Sequence, residues 1–200
     1  MSLEPRSETR SRAAVAATWI GSFVALLWVI ELIDTGLSHR LDAHGIEPLG
    51  ADGLTGIVWA PLLHAGWGHL VSNTGPLLVL GFLLLMSGVR EWLRVTAIVW
   101  VVGGLGTWLV GGANTIHLGA SGLVFGWLAN LMVRGFFTRH FGQVALGVVV
   151  ALAYGSVLWG VLPTTPGVSW QGHLFGALGG VLAAWLAARE ASQDQTLRRY

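Results

Sequence analysis

Long apolar runs, separated by short polar or glycine-rich joints, set the pattern of this chain. Six can be marked, at residues 14–34, 70–88, 94–111, 118–133, 144–162 and 171–188. A helix needs roughly 20 mostly apolar residues to cross a bilayer. The pattern therefore predicts an all-α, polytopic membrane protein, a bundle of six transmembrane helices. The fourth and sixth runs are short for a span, so their first turns are expected below the membrane surface, in a dip or cavity. The first run is too long for the apolar core of a cleaved signal peptide and reads as a spanning anchor. Residues 1–13 and 189–200 are polar and read as cytoplasmic tails flanking a membrane domain at 14–188, the first of them disordered. Residues 35–66 form a long joint, of the length that is usually functional or partly ordered. Its apolar stretch Ile57–Leu63 suggests a segment lying in the outer leaflet.

Charge placement fixes a direction. All 11 basic residues are Arg. Those at 6, 10, 12, 90, 94, 134, 139, 189, 198 and 199 share one set of helix ends, and only Arg40 lies at the other. Loops rich in Arg stay in the cytoplasm, which puts both termini there and starts the second, fourth and sixth runs at the outer face. Composition agrees with a lipid-facing surface: 10% of residues are charged, against roughly 25% in soluble domains. Trp59, Trp67, Trp92 and Trp170 stand near run ends, where amphipathic rings favour the interface. With no Cys, disulfides, thiolate metal sites and cysteine nucleophiles are excluded. The net charge of +1 gives no indication of a nucleic-acid partner, and no nucleotide motif or internal repeat is present.

That direction brings together the residues able to do chemistry. His64, His69 and Asn73 open the second run, Ser121 the fourth and His173 the sixth, so all fall at one membrane face. A serine nucleophile needs a base within hydrogen-bond reach, and His173 is the candidate at equal depth on another helix. Close approach of two helices is allowed by small residues: Gly122 and Gly126 on the fourth run, Gly172, Gly176 and Gly180 on the sixth. The Ser121 backbone N–H, free at a helix start, and the side chains of His69 and Asn73 are candidate donors to an oxyanion. No carboxylate is placed to orient His173, so the arrangement reads as a dyad. Taken singly, Ser121 is more often a packing residue and Asn73 a helix cross-link; their joint occurrence at one face argues for a site. A metal site built from His64, His69 and His173 would leave Ser121 unexplained. Glu31 and Asp34, at the outer end of the first run, read as interfacial solvation. The fifth run carries no acid, base or nucleophile beyond Tyr154 and Ser156 and reads as structural.

At these residues the chain resembles the rhomboid intramembrane serine proteases. It shares Gly-x-Ser-Gly (Gly119 to Gly122), the Gly172-His173 pair followed by small residues, and the His-x4-His-x3-Asn pattern of His64, His69 and Asn73. The resemblance implies the minimal six-helix bacterial form, in the inner membrane with its active site towards the outer face. It implies Ser121 as nucleophile, His173 as base, and His69 with Asn73 at the oxyanion hole. His64 takes a supporting motif position, and Phe125 the place of an aromatic residue stacked on the base. It further implies cleavage of transmembrane protein substrates in the lipid bilayer through an acyl-enzyme, without cofactor or metal. The alternative is a non-catalytic rhomboid-like protein that binds membrane clients. Residues 35–66 lack the Trp-Arg pair found in that loop of many rhomboids, and nothing in the residues sets an oligomeric state.

Overall fold

The computed structural model describes residues 4–197, with side chains described for residues 11–193. Seven α-helices occur among the described residues: α1 (Glu4–Gly36), α2 (Ala51–Trp59), α3 (Trp67–Leu85), α4 (Val89–Val110), α5 (Ser121–Thr138), α6 (Phe141–Tyr154) and α7 (Trp170–Leu197). No strand is present there; one isolated antiparallel bridge joins Ile46 to His117. Among the described residues, five stretches are long and apolar enough to cross a membrane: Ser11–Gly36, Trp67–Leu85, Val89–Val110, Phe141–Val161 and Trp170–Gln193. The chain is a polytopic helical bundle.

The fourth apolar run is α5, which does not meet that standard of length and hydropathy, because it faces protein instead of lipid. Leu123 to Leu131 are buried without a break, and Trp127, Leu128 and Leu131 have no exposed surface. A helix hydrophobic all round belongs inside a bundle. Its contact with α7 runs through glycine. A Cβ on Gly122 would stand 3.3 Å from the Gly172 carbonyl oxygen, and one on Gly126 2.9 Å from that of Gly176. Lipid-side positions are elsewhere: on α6 and its extension, Phe141, Leu152 and Trp159 are 86%, 84% and 72% exposed.

Both polar tails turn out helical as far as the structure describes them. α1 begins at Glu4 and α7 continues to Leu197, so the expected disorder of the first tail does not hold for residues 4–12; residues 1–3 and 198–200 lie outside the described residues. Once a helix is nucleated, each added residue gains a hydrogen bond for one pair of dihedrals fixed. Residues 35–66 are largely ordered. They contain α2 and two 3-10 turns, Leu41–His44 and Ala60–Leu62. Two tryptophans of α4 hold this segment: Trp100 Nε1 donates to the Ile57 carbonyl at 2.7 Å, and Trp108 Nε1 to that of Gly50 at 2.9 Å. Gly53 and Gly56 lie against the backbone of Glu47 and Gly45 with no space for a Cβ. The free face of α2 exposes Leu54, Val58 and Trp59. Glu31 and Asp34 are not solvated at an interface: each is only 1% exposed. The segment after α1 folds back over them, and the Leu41 N–H donates to Asp34 Oδ1 at 2.7 Å.

Candidate active site

The N-terminal ends of α3, α5 and α7 lie at the same end of the bundle, with the joint Gly111–Ala120 and the segment 35–66 around them. Gly119 has φ +120°, a conformation that side chains rarely adopt, and it turns the chain into α5. Its N–H donates to the Ala60 carbonyl at 2.8 Å, and that of Ala120 to His64 Nε2 at 3.4 Å. Ser121 is thus the first residue of a helix whose start is pinned from both sides. No backbone acceptor takes the Ser121 N–H among the described residues, as expected for a first-turn donor.

The two side chains singled out for chemistry meet. His173 Nε2 lies 2.8 Å from Ser121 Oγ, and His173 Nδ1 lies 2.9 Å from the Gly160 carbonyl oxygen. A carbonyl only accepts, so Nδ1 carries the proton and Nε2 presents its lone pair to the serine O–H. A backbone carbonyl therefore occupies the place where a carboxylate would orient the imidazole. Gly160 stands in the 3-10 segment Gly155–Val161, which continues α6. The fifth run, read as structural, contributes this contact. No side-chain pattern could have revealed it, because the group is a main-chain oxygen. Phe125, one turn after Ser121, stacks on the His173 ring with centroids 4.0 Å apart and planes within 6°.

His69 Nδ1 accepts the Ala65 N–H at 3.4 Å, which leaves the proton on Nε2. That nitrogen faces Gly119, where an added Cβ would stand 2.8 Å from it. Asn73 Nδ2 donates to the His69 carbonyl at 2.9 Å, and its second hydrogen remains available. His64 is 1% exposed, its ring edge-on to His69 with centroids 5.2 Å apart. Burial, and then His69, hold its pKa down to about 4, so it is neutral near pH 7 and accepts from Ala120. All of the residues singled out from the sequence—Ser121, His173, His69, Asn73, His64, Gly119, Gly122 and Phe125—belong to this cluster.

Two further residues of the cluster carry no such signal in the sequence. His117 Nδ1 lies 2.7 Å from Ser169 Oγ, and its Nε2 2.8 Å from Thr115 Oγ1. Ser169 Oγ also accepts the Gly172 N–H at 3.3 Å, and its carbonyl takes the His173 N–H at 3.1 Å. His117 and Ser169 thereby tie the turn before Ser121 to the start of α7. Burial lowers the His117 pKa, favouring the neutral ring.

A cavity of about 990 Å³ opens over the cluster, with Ser121, His173, His69, Asn73 and Phe125 on its floor. Behind Ser121 a second space of about 40 Å³ touches Thr107, His117 and Ser169. One water needs some 10–15 Å³ and two or more polar partners, so this space can hold one. A carbonyl placed over Ser121 in the larger cavity would meet a hydroxyl, an imidazole lone pair and N–H donors together.

Comparison with known proteins points one way. The rhomboid domain model matches residues 51–190. A protein of Mycobacterium tuberculosis, named only as uncharacterized, is 49% identical over 205 residues, covering 98% of this chain and 85% of that one. A Bacillus subtilis protein whose name carries the words rhomboid protease is 27% identical, with 92% and 94% covered. Rhomboid-like protein 11, chloroplastic, of Arabidopsis thaliana is 30% identical, with 87% and 70% covered. No solved structure matches the chain.

Proposed function

The chain belongs to the rhomboid family, and from that premise we propose that it is a serine endopeptidase cutting transmembrane segments of other membrane proteins. The observation that supports this most is the 2.8 Å contact between Ser121 Oγ and a His173 ring whose other nitrogen donates to Gly160. Ser121 Oγ attacks the scissile carbonyl carbon while its proton passes to His173 Nε2. The Ser121 N–H, His69 Nε2–H and the free Asn73 amide hydrogen stabilise the oxyanion. His173 then gives its proton to the departing amine, and the acyl group stays on Ser121. Water, losing a proton to His173, attacks the ester and releases the acid, and the proton returns to Ser121 Oγ. His64 holds the Ala120 amide, and Phe125 holds the base. The Arg distribution supports a topology with both termini in the cytoplasm, this cluster towards the outer face, and residues 14–188 as the membrane domain.

The experiment is cleavage of a model transmembrane substrate by protein reconstituted in liposomes. Wild type is expected to cut it, and Ser121→Ala and His173→Ala to leave it intact while folding as wild type does. A wild-type preparation that binds the substrate and cuts nothing would favour the client-binding alternative.

A further inference from the structure

We propose that Glu31, Asp34, His39 and Asp42 form a binding site for a divalent cation of the zinc or manganese type, joining the end of α1 to the segment that follows it. These residues lie outside residues 51–190, the part matched by the rhomboid domain. Glu31 and Asp34 are three apart on α1 and share a face. Ser38 and His39 both take left-handed backbone, with φ 57° and 59°. The chain turns back there, and the His39 N–H donates to the Asp34 carbonyl at 2.9 Å. His39 Nδ1 then stands 3.7 Å from Asp34 Oδ2 and 4.0 Å from Asp42 Oδ2. One donor atom from each of Asp34, His39 and Asp42 lies within 4.8 Å of the others. Zinc bonds its oxygen and imidazole donors at about 2.0–2.2 Å, so donors on one ion stand up to about twice that apart, and small side-chain rotations suffice.

What points to an ion is the buried carboxylate of Glu31. It is 1% exposed, neither of its oxygens has a hydrogen-bond partner, and it is within electrostatic reach of Asp42, His39 and Asp34. Asp34 Oδ2 and Asp42 Oδ1 are likewise buried and accept no hydrogen bond. Two carboxylates thus converge with one imidazole, and a third, that of Glu31, lies within their electrostatic reach. The arginine ion pairs described are those of Arg94 with Glu91 and Glu190, at the opposite end of the bundle. An isolated buried carboxylate costs several kcal/mol unless paired or coordinated. An imidazole among carboxylates suits zinc or manganese better than magnesium or calcium. The His39 side chain is 46% exposed and gives an ion its way in.

The test uses the full chain in detergent, stripped with chelator and titrated with Zn²⁺ or Mn²⁺, with Mg²⁺ as comparison. Bound metal is counted by elemental analysis after desalting, and thermal unfolding is followed in parallel. We expect one ion per chain and a melting temperature that rises with metal until saturation. His39→Ala and Asp42→Asn, both at partly exposed positions, should bind at least about tenfold more weakly. No metal retained by wild type would overturn the proposal and leave the carboxylates sharing protons. Equal binding by wild type and both variants would overturn it too, by placing the ion elsewhere.

Discussion

Gly160→Ala perturbs the contact that orients the His173 ring. The added Cβ would stand 2.8 Å from Phe125 Cζ and 3.2 Å from His173 Nδ1, whereas ordinary contact begins at 3.4 Å. The Phe125 ring must therefore retreat by about 0.6 Å and the imidazole by about 0.2 Å, the shortfalls from that contact distance. Phe125 is 4% exposed, so its ring has little room to move. The stacked pair shifts together, and both imidazole hydrogen bonds lose alignment. A misplacement approaching 1 Å at reacting groups costs on the order of a hundredfold in rate; for the smaller shift here we expect a tenfold to hundredfold loss of acylation rate, approximately. Gly155→Ala is the control: it stands at the start of the same 3-10 segment and a Cβ there meets nothing within 4 Å. The assay is the rate of serine acylation by a fluorophosphonate in detergent, alongside thermal melts. Gly160→Ala acylating as fast as wild type, or Gly155→Ala slowing as much, would refute the claim that this carbonyl positions the base.

Phe125→Leu keeps an apolar side chain but removes the stack, so acylation should slow while the protein still melts cooperatively. Gly119→Ala combines a φ of +120° with a collision on the His69 ring; labelling should be lost, and a folded variant that labels normally would contradict the geometry. Ser169→Ala removes the hydroxyl that caps the Gly172 N–H and bonds His117, which should lower stability by about 0.5–2 kcal/mol, read as a lower melting temperature. For pH, His64 titrates at 6.5 when unfolded and at about 4 when folded. The unfolded chain therefore binds more protons between those values, and stability falls as pH drops through that window, by about 3 kcal/mol at its lower end. Melts of His64→Gln against wild type at pH 7 and pH 4 should show a smaller loss in the variant.

Much of this was legible in the residues, for a physical reason. In a bilayer the backbone must satisfy itself, so apolar runs become helices, and arginine counts order their ends. Once runs two, four and six share a starting face, Ser121 and His173 can meet, and the glycines of α5 and α7 allow the approach. What stayed hidden is carried by main-chain atoms or by folding of the joints. The Gly160 carbonyl has no side chain to flag it. His117 lies in a joint held by the Ile46–His117 bridge, and Ser169 in another that meets it through the His117 side chain. Glu31 and Asp34 read as interfacial because their burial depends on residues 37–44 folding back. The Trp-Arg pair missing from residues 35–66 is answered from outside that segment, by Trp100 and Trp108 of α4.

The proposed function requires Ser121 to be an activated nucleophile with His173 as its base. Its most direct measurement is fluorophosphonate labelling of the purified chain, with the adduct mapped by peptide mass spectrometry. Wild type should carry one adduct, on Ser121, and His173→Ala should carry none. An adduct on another serine, or labelling that persists at full rate in Ser121→Ala, would contradict it.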